Sequence, residues 1–379
     1  MLKTASPADV GLDAGRWQRV LELAAGDCRD GRAPAIALAV ARGGRTTGVH
    51  GFGRQRLAAD SPPLRDDAIF LVASITKPVV AMGALLLVER GLLTLADRVS
   101  DFVPGFLRIG KAGVTIRHLL THTSGLPDML PDNRELRAAN APLASFVENT
   151  CEVRPDFPPG RGVQYQSMGF AVLGEVLSHV TGLSCAEFLR REVFEPLGMH
   201  DTALGAPETW FSGPAPVIDR VPEIRVPPEQ ADGPGWNWNS RYWRTLGAPW
   251  GGLLTTPSDL GRFAQAMLNR GRPGGVTVWS PATIAAATRN QLEFLPDVPE
   301  ADRRCRPWGL GWRLQWPAHS ANFGDLLGPR SFGHWGATGT VLWIDPDLEA
   351  FAVILTTQPQ EPQGSLLSKL SNAIAAALL

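Results

Sequence analysis

"LVASITKPVV", residues 71–80, decides how the chain is read. An apolar run halts at Ser74. Lys77 follows three residues on, one of only four lysines in a chain with 36 Lys and Arg. Pro78 has no backbone N–H and is tolerated only in the first turn of a helix. The next stretch, "VVAMGALLLVERG", is apolar almost all round, which predicts a helix buried on every side, with Gly91 as its stop. The helix is therefore expected to begin at or just after Ser74. Positions i and i+3 share a helix face, so Lys77 lies close to Ser74. The helix start adds unpaired N–H groups and a positive field. An ammonium desolvated there is expected to have a lowered pKa, and a neutral amine can take a proton from serine. The same letters also fit a buried serine cap beside a snorkelling lysine. The rest of the chain has to choose between these readings.

The 379 residues exceed what one core usually supports, which predicts two lobes. Apolar content of 44% and charged content of 19% are those of a globular enzyme. A net charge of −1 gives no reason to expect nucleic acid or an anionic membrane as partner. No run of about 18 apolar residues suggests a membrane span. Cys28, Cys151, Cys185 and Cys305 are far apart and make neither a C-x-x-C pair nor a metal spacing. Free thiols in a reducing compartment are expected. The N-terminus, "MLKTASPADVGLDAGRW", lacks the apolar core of a signal peptide, so the expected location is cytoplasmic.

Along the chain, "DAGRWQRVLELAAGDCRDG" reads as an amphipathic helix capped by Asp13. "PAIALAVARGGRTTGVHGFG" reads as two strands joined at Gly43-Gly44. Residues 92–244 read mostly as helices and loops, with a clear helix in "MGFAVLGEVLSHVTG" ending at Gly182. Residues 205–250, rich in Pro, Gly and Trp, suggest a long ordered loop or lid. "TPSDLGRFAQAMLNRG" suggests a helix with Ser258 as cap and Gly271 as stop. In "WGLGWRLQW", Trp308, Leu310, Trp312, Leu314 and Trp316 alternate with Gly309, Gly311, Arg313 and Gln315, a period-two strand with one buried face. "TGTVLWIDPDLEAFAVILTTQ" reads as a hairpin around Asp345-Pro346-Asp347, and "QGSLLSKLSNAIAAALL" as a closing helix. Strands at both ends and helices between them predict a mixed α/β (α+β) fold. It would be an antiparallel sheet flanked by helices, with a second, mostly helical lobe inserted. Residues 1–75 and 245–379 would form the sheet domain and 76–244 the helical one, with the active site between them.

Acyl transfer through serine needs a proton carrier and oxyanion donors. There are only two tyrosines, Tyr165 and Tyr242. Tyr165, in "GVQYQSMGF" just before a helix, is the stronger candidate. Near a lysine cation its phenol could shuttle protons. "FGHWGATG", residues 332–339, precedes a strand and has small residues where a backbone must approach something closely. The N–H groups of Ala337 and Ser74 could then hold an oxyanion. No G-x-S-x-G elbow and no H-E-x-x-H zinc helix occurs. His118 and His122 read as structural.

Together these segments resemble the serine β-lactamase and penicillin-binding-protein superfamily. Ser74-Ile75-Thr76-Lys77 matches S-x-x-K. Tyr165-Gln166-Ser167 stands where class C β-lactamases and D,D-peptidases have Tyr-x-Asn. His334-Trp335-Gly336 stands where they have K-T-G or H-x-G. "LLTHTSGLP" (119–127) and "GGLLTTPSDLGRF" (251–263) are also similar to recurrent stretches of the superfamily. The resemblance covers about residues 10–379 and is nearest to the family VIII carboxylesterases, some of which share a Trp-Gly pair like Trp335-Gly336.

The resemblance implies a serine hydrolase acting through an acyl-enzyme. Ser74, Lys77 and Tyr165 would be catalytic, and the N–H groups of Ser74 and Ala337 the oxyanion donors. Ser167, His334, Trp335 and Gly336 would contact substrate. Trp238 and Trp243, in the Trp-rich stretch 235–252, could wall the acyl site with Trp236 and Trp250, or could be core residues. Ser167 removes the carboxamide of Tyr-x-Asn. His334 and Trp335 make a poor carboxylate clamp. Both changes favour a small neutral ester as the partner molecule, with no metal or organic cofactor. A β-lactamase, D,D-peptidase or amidase on the same residues is the alternative, and a catalytically inactive binding relative is another.

Overall fold

The structure is a computed structural model. It describes residues 2–231, 235–269, 277–316, 318–319, 321–360 and 364–379. The fold is mixed α/β. Its main sheet has seven strands in the order β1-β3-β2-β10-β9-β8-β7. These are β1 Lys3–Thr4, β2 Ala35–Arg42, β3 Arg45–Gly53, β7 Arg313–Leu314, β8 Phe332–Gly336, β9 Thr340–Asp345 and β10 Ala350–Thr356. All pairs are antiparallel except β1 with β3. The central pair therefore joins the two ends of the chain, β2 to β10. A second, three-stranded sheet runs β4-β6-β5, from Phe70–Leu71, Leu253–Thr255 and Ala203–Leu204.

The central strands are apolar on both faces, so both faces must be covered. Ile36, Leu38 and Val40 of β2, with Trp343 of β9 and Ile354 of β10, pack beneath the helices Ala14–Arg29 and Ser365–Ala377. Val353, Leu355, Leu342 and Ile344 face the opposite core, which continues into the helices of residues 76–199. The first helix is capped as expected, with the Asp13 carboxylate accepting from Arg16 N–H at 2.8 Å. Gly43 and Gly44 turn β2 into β3 with φ of 56° and 78°. The Met168–Thr181 helix ends at Gly182 in the left-handed region.

Three local expectations are corrected. The stretch 308–316 is not one strand. Only Arg313–Leu314 pairs in the sheet, and Gly309 N–H donates to the Trp312 carbonyl across a tight turn. Alternation misled because Trp308, Leu310 and Trp312 are buried around a bend, and Arg313 is buried too. The cap of the Pro257–Asn269 helix is Thr256, whose hydroxyl accepts from Asp259 N–H at 3.1 Å, rather than Ser258. Gly271 lies outside the described residues. Residues 205–250 are not one loop but carry short helices, among them Glu208–Phe211, Val217–Arg220 and Arg241–Leu246.

The turn at 309–312 docks on the Thr76–Glu89 helix. A Cβ on Gly311 would lie 2.2 Å from Ala81 Cβ, at a φ of +79°. Gly91, which ends the same helix, has a φ of +70° and open space around it. Gly311→Ala should therefore cost overpacking as well as left-handed strain, about 2–4 kcal/mol together. Gly91→Ala should cost only the strain, about 1–2 kcal/mol. Urea melts of the two variants check the difference.

Candidate active site

The Thr76–Glu89 helix is preceded by a 3-10 turn, Ala73–Ile75, which carries Ser74. Ala73 has a φ of 45°, a region L-residues other than glycine seldom occupy. Neighbouring strands hold this turn. Val72 N–H donates to Leu253 C=O at 3.0 Å, and Leu253 N–H donates to Thr76 Oγ1 at 3.0 Å. From the other side, Thr338 Oγ1 donates to Leu71 C=O at 2.7 Å and Thr340 Oγ1 to Val72 C=O at 3.0 Å. A Cβ on Gly336 would meet Val72 O at 2.2 Å, so only glycine lets β8 lie this close.

Lys77 is fully buried. Its Nζ donates to Ser74 Oγ at 3.0 Å and to Trp250 C=O at 2.9 Å, and stands 4.7 Å from the centre of the Tyr165 ring. Ser74 itself is half-buried and reachable. The Tyr165 hydroxyl is buried and makes no hydrogen bond of good geometry among the described residues, its polar neighbour being the Arg313 guanidinium. Tyr242, the other tyrosine, is engaged elsewhere, donating to Ala141 C=O at 2.8 Å. An amine in contact with a serine hydroxyl, beside a phenol, can remove and return a proton.

His334 and Trp335 of β8 complete this face. The His334 and Trp335 rings lie 6.1 Å and 6.5 Å from that of Tyr165. His334 Nδ1 lies 2.8 Å from Trp335 C=O and so carries the ring proton, leaving Nε2 as an acceptor. Burial, then Arg313 and Lys77, hold its pKa well below the usual histidine value, so the ring is neutral. Ala337 is exposed at the end of β8, and its carbonyl accepts from Gln360 N–H at 3.0 Å.

The other expected residues are placed differently. Ser167 is buried, and its hydroxyl donates to Asp128 at 2.6 Å. Trp243 is a core side chain, packed against Trp236, edge-on to Trp250 and beneath the Arg137 guanidinium. Trp250 serves the site through its carbonyl, and its ring packs on Phe146. Trp238 is half-buried against the same core.

Sequence reasoning missed Arg313, assigned there to the polar face of a strand. Its guanidinium is buried, lies 4.9, 4.9 and 4.5 Å from the Tyr165, Trp308 and Trp335 rings, and donates to His319 C=O at 3.1 Å. Burial brings its pKa down to about 10. Asp128 was missed as well. It follows "LLTHTSGLP" directly, which was the available signal.

The family profile described as Beta-lactamase matches residues 17–376. The chain belongs to the beta-lactamase family. Penicillin-binding protein 4 of Amycolatopsis lactamdurans is 32% identical over 299 residues, covering 76% of this chain and 72% of that protein. A penicillin-binding-protein homologue from Caulobacter crescentus superimposes with a TM-score of 0.78 at 23% identity, over 97% of this chain and 99% of the other. A family VIII carboxylesterase superimposes with a TM-score of 0.75 at 23% identity, also over 97% and 99%. These two likenesses establish the β-lactamase and transpeptidase fold. Membership of the beta-lactamase family makes the chain a serine hydrolase.

Three neutral histidines, His122, His319 and His334, lie among the aromatic rings of the site, and a fourth, His118, packs its ring against Thr115 nearby. Burial first, then Arg117, pushes His118 down to about 4. Burial first, then Arg313, pushes His319 down to about 3. His122 and His334 lie well below the usual value, mainly through burial. In the unfolded chain all four would titrate near 6.5. The unfolded state therefore binds more protons below that pH, and stability must fall as pH drops from about 6.5 towards 4. Urea melts between about pH 7 and 5 should show losses approaching 1.4 kcal/mol per pH unit for each histidine. A stability that stays level through this window would contradict neutral burial.

Proposed function

We propose that this hydrolase cleaves small neutral carboxylic esters through an acyl-enzyme on Ser74. Ser74 Oγ attacks the ester carbonyl while Lys77 and Tyr165 share the proton. The N–H groups of Ser74 and Ala337 hold the oxyanion, the alcohol leaves with the returned proton, and water hydrolyses the acyl-serine. The observation that carries this reading is the 3.0 Å contact of Lys77 Nζ with Ser74 Oγ, with the Tyr165 ring centre 4.7 Å from the same Nζ. The preference for a neutral substrate rests on His334 and Trp335. A neutral imidazole and an indole offer little to a carboxylate, and three aromatic rings already cover Arg313.

One observation favours a second reading. Arg313 Nε is buried and makes no hydrogen bond of good geometry among the described residues, with the Tyr165 hydroxyl as the polar neighbour of its guanidinium. A guanidinium edge against the Tyr165 and Trp335 rings could receive a substrate carboxylate, as a D,D-carboxypeptidase requires. The two readings separate kinetically. On one preparation, kcat/KM for p-nitrophenyl butyrate should exceed that for nitrocefin and for a D-alanyl-D-alanine peptide by at least about tenfold, a difference of roughly 1.4 kcal/mol. If either of the latter is better by tenfold or more, the neutral-ester reading fails. Lys77→Ala and Tyr165→Phe should each lower kcat strongly, and the double variant should be little worse than the worse single. Fully additive losses would mean that the two do not act together.

A further inference from the structure

Tyr165 is held on both sides by a single residue. The N–H of Gln164 donates to the His122 carbonyl at 2.9 Å, and the N–H of Gln166 donates to His122 Nδ1 at 3.0 Å. The His122 ring lies 4.8 Å from the Tyr165 ring, with Trp308 and Phe170 against it at 4.1 and 5.6 Å. One residue thus offers both its carbonyl and its ring to the same passing segment, residues 164–166. His122 does so with a φ of 59°, in the left-handed region. Histidine is among the few residues besides glycine enriched there, yet the conformation persists only where its surroundings fix it.

Those surroundings are specific. Thr121 Oγ1 donates to Arg117 C=O at 2.8 Å and lies 2.8 Å from Thr123 Oγ1. Thr123 N–H donates to His118 C=O at 3.0 Å, and Thr123 C=O accepts from Gly160 N–H at 2.8 Å. The Gln166 side chain donates to the His118 and Leu119 carbonyls at 3.2 and 3.1 Å. The segment of residues 118–124 is thus bolted to the one that presents Tyr165. Because Nδ1 accepts, the ring proton sits on Nε2. A doubly protonated ring would lose the bond to Gln166, and the buried surroundings keep the ring neutral.

We infer that His122 is a positioning residue, whose paired carbonyl and ring acceptors fix the Tyr165 hydroxyl relative to Lys77 and Ser74. The inference rests on the proposed role of Tyr165. The full chain is assayed on p-nitrophenyl butyrate as H122G, H122N, Y165F and H122G combined with Y165F, with thermal melts to confirm folding. H122G accepts the left-handed backbone but deletes the ring acceptor. Its kcat should fall about a hundredfold while KM stays within about threefold. H122N also tolerates that backbone and carries a side-chain oxygen near the place of Nδ1, so it should recover to within about tenfold of wild type. In the Y165F background H122G should cost less than about threefold, because the group it positions has gone. A folded H122G with near wild-type kcat overturns the inference, as does an equal loss in both backgrounds. Should H122G not fold, H122N is compared in the two backgrounds: a kcat lowered about three- to tenfold with Tyr165 present and less than about twofold in Y165F supports the inference, and a wild-type kcat or an equal loss in both overturns it. A Y165F variant with wild-type kcat is a separate result, which defeats the proposed role of Tyr165 itself.

Discussion

The burial of one lysine constrains the rest of the molecule. Lys77 is closed off from solvent, and a buried amine is tolerable only if its hydrogens are used. Two of its partners are Ser74 Oγ and Trp250 C=O. The first ties it to the turn ahead of its own helix, the second to a segment 173 residues further along the chain. The 250–253 segment must therefore lie against residues 72–76, and Leu253 does so through its N–H to Thr76 Oγ1 and its carbonyl from Val72 N–H. β8 closes the opposite side, which is why Gly336 has no room for a Cβ. Loss of any of these three supports would change the distance between an amine and a hydroxyl, and that distance sets what the site can do.

Around this contact lies a shell of aromatic rings and neutral imidazoles rather than carboxylates. Tyr165, Trp308, Trp335, His122, His319 and His334 enclose Arg313 and Lys77. π-faces stabilise a guanidinium without neutralising it. The shell thus keeps positive potential near Ser74, where an acyl transfer develops an oxyanion. Asp128 is the nearby acid, held by Ser167 and exposed at the edge. A carboxylate inside the shell would pair with Arg313 and cancel that potential.

Much of this was legible in the sequence because several signals are local. Pro78 and Gly91 bracket the Ser74 helix, Gly43-Gly44 turns the first hairpin, and the scarcity of tyrosine singles out Tyr165. That one antiparallel sheet draws on both ends of the chain followed from the strand-like runs there, and the structure adds that β2 and β10 are the strands that meet. What stayed hidden depends on tertiary approach. Alternation from 308 to 316 could not reveal a bend that buries Arg313, because the bend exists only where Gly311 meets Ala81. The carbonyl of Trp250 leaves no trace in residue type, and its indole drew attention to the wrong atom. His122 read as structural, since nothing in four or five letters shows a left-handed backbone carrying two acceptors. Ser167 showed a missing carboxamide, but not that Asp128 would occupy its hydroxyl.

The most direct measurement is covalent capture of the nucleophile. The chain is treated with a fluorophosphonate, weighed intact and mapped by peptide mass spectrometry. Activation of Ser74 by Lys77 predicts one adduct per chain, on Ser74, with labelling lost in Ser74→Ala and strongly slowed in Lys77→Ala. An adduct on another residue, or equal labelling of wild type and folded Lys77→Ala, would contradict the account.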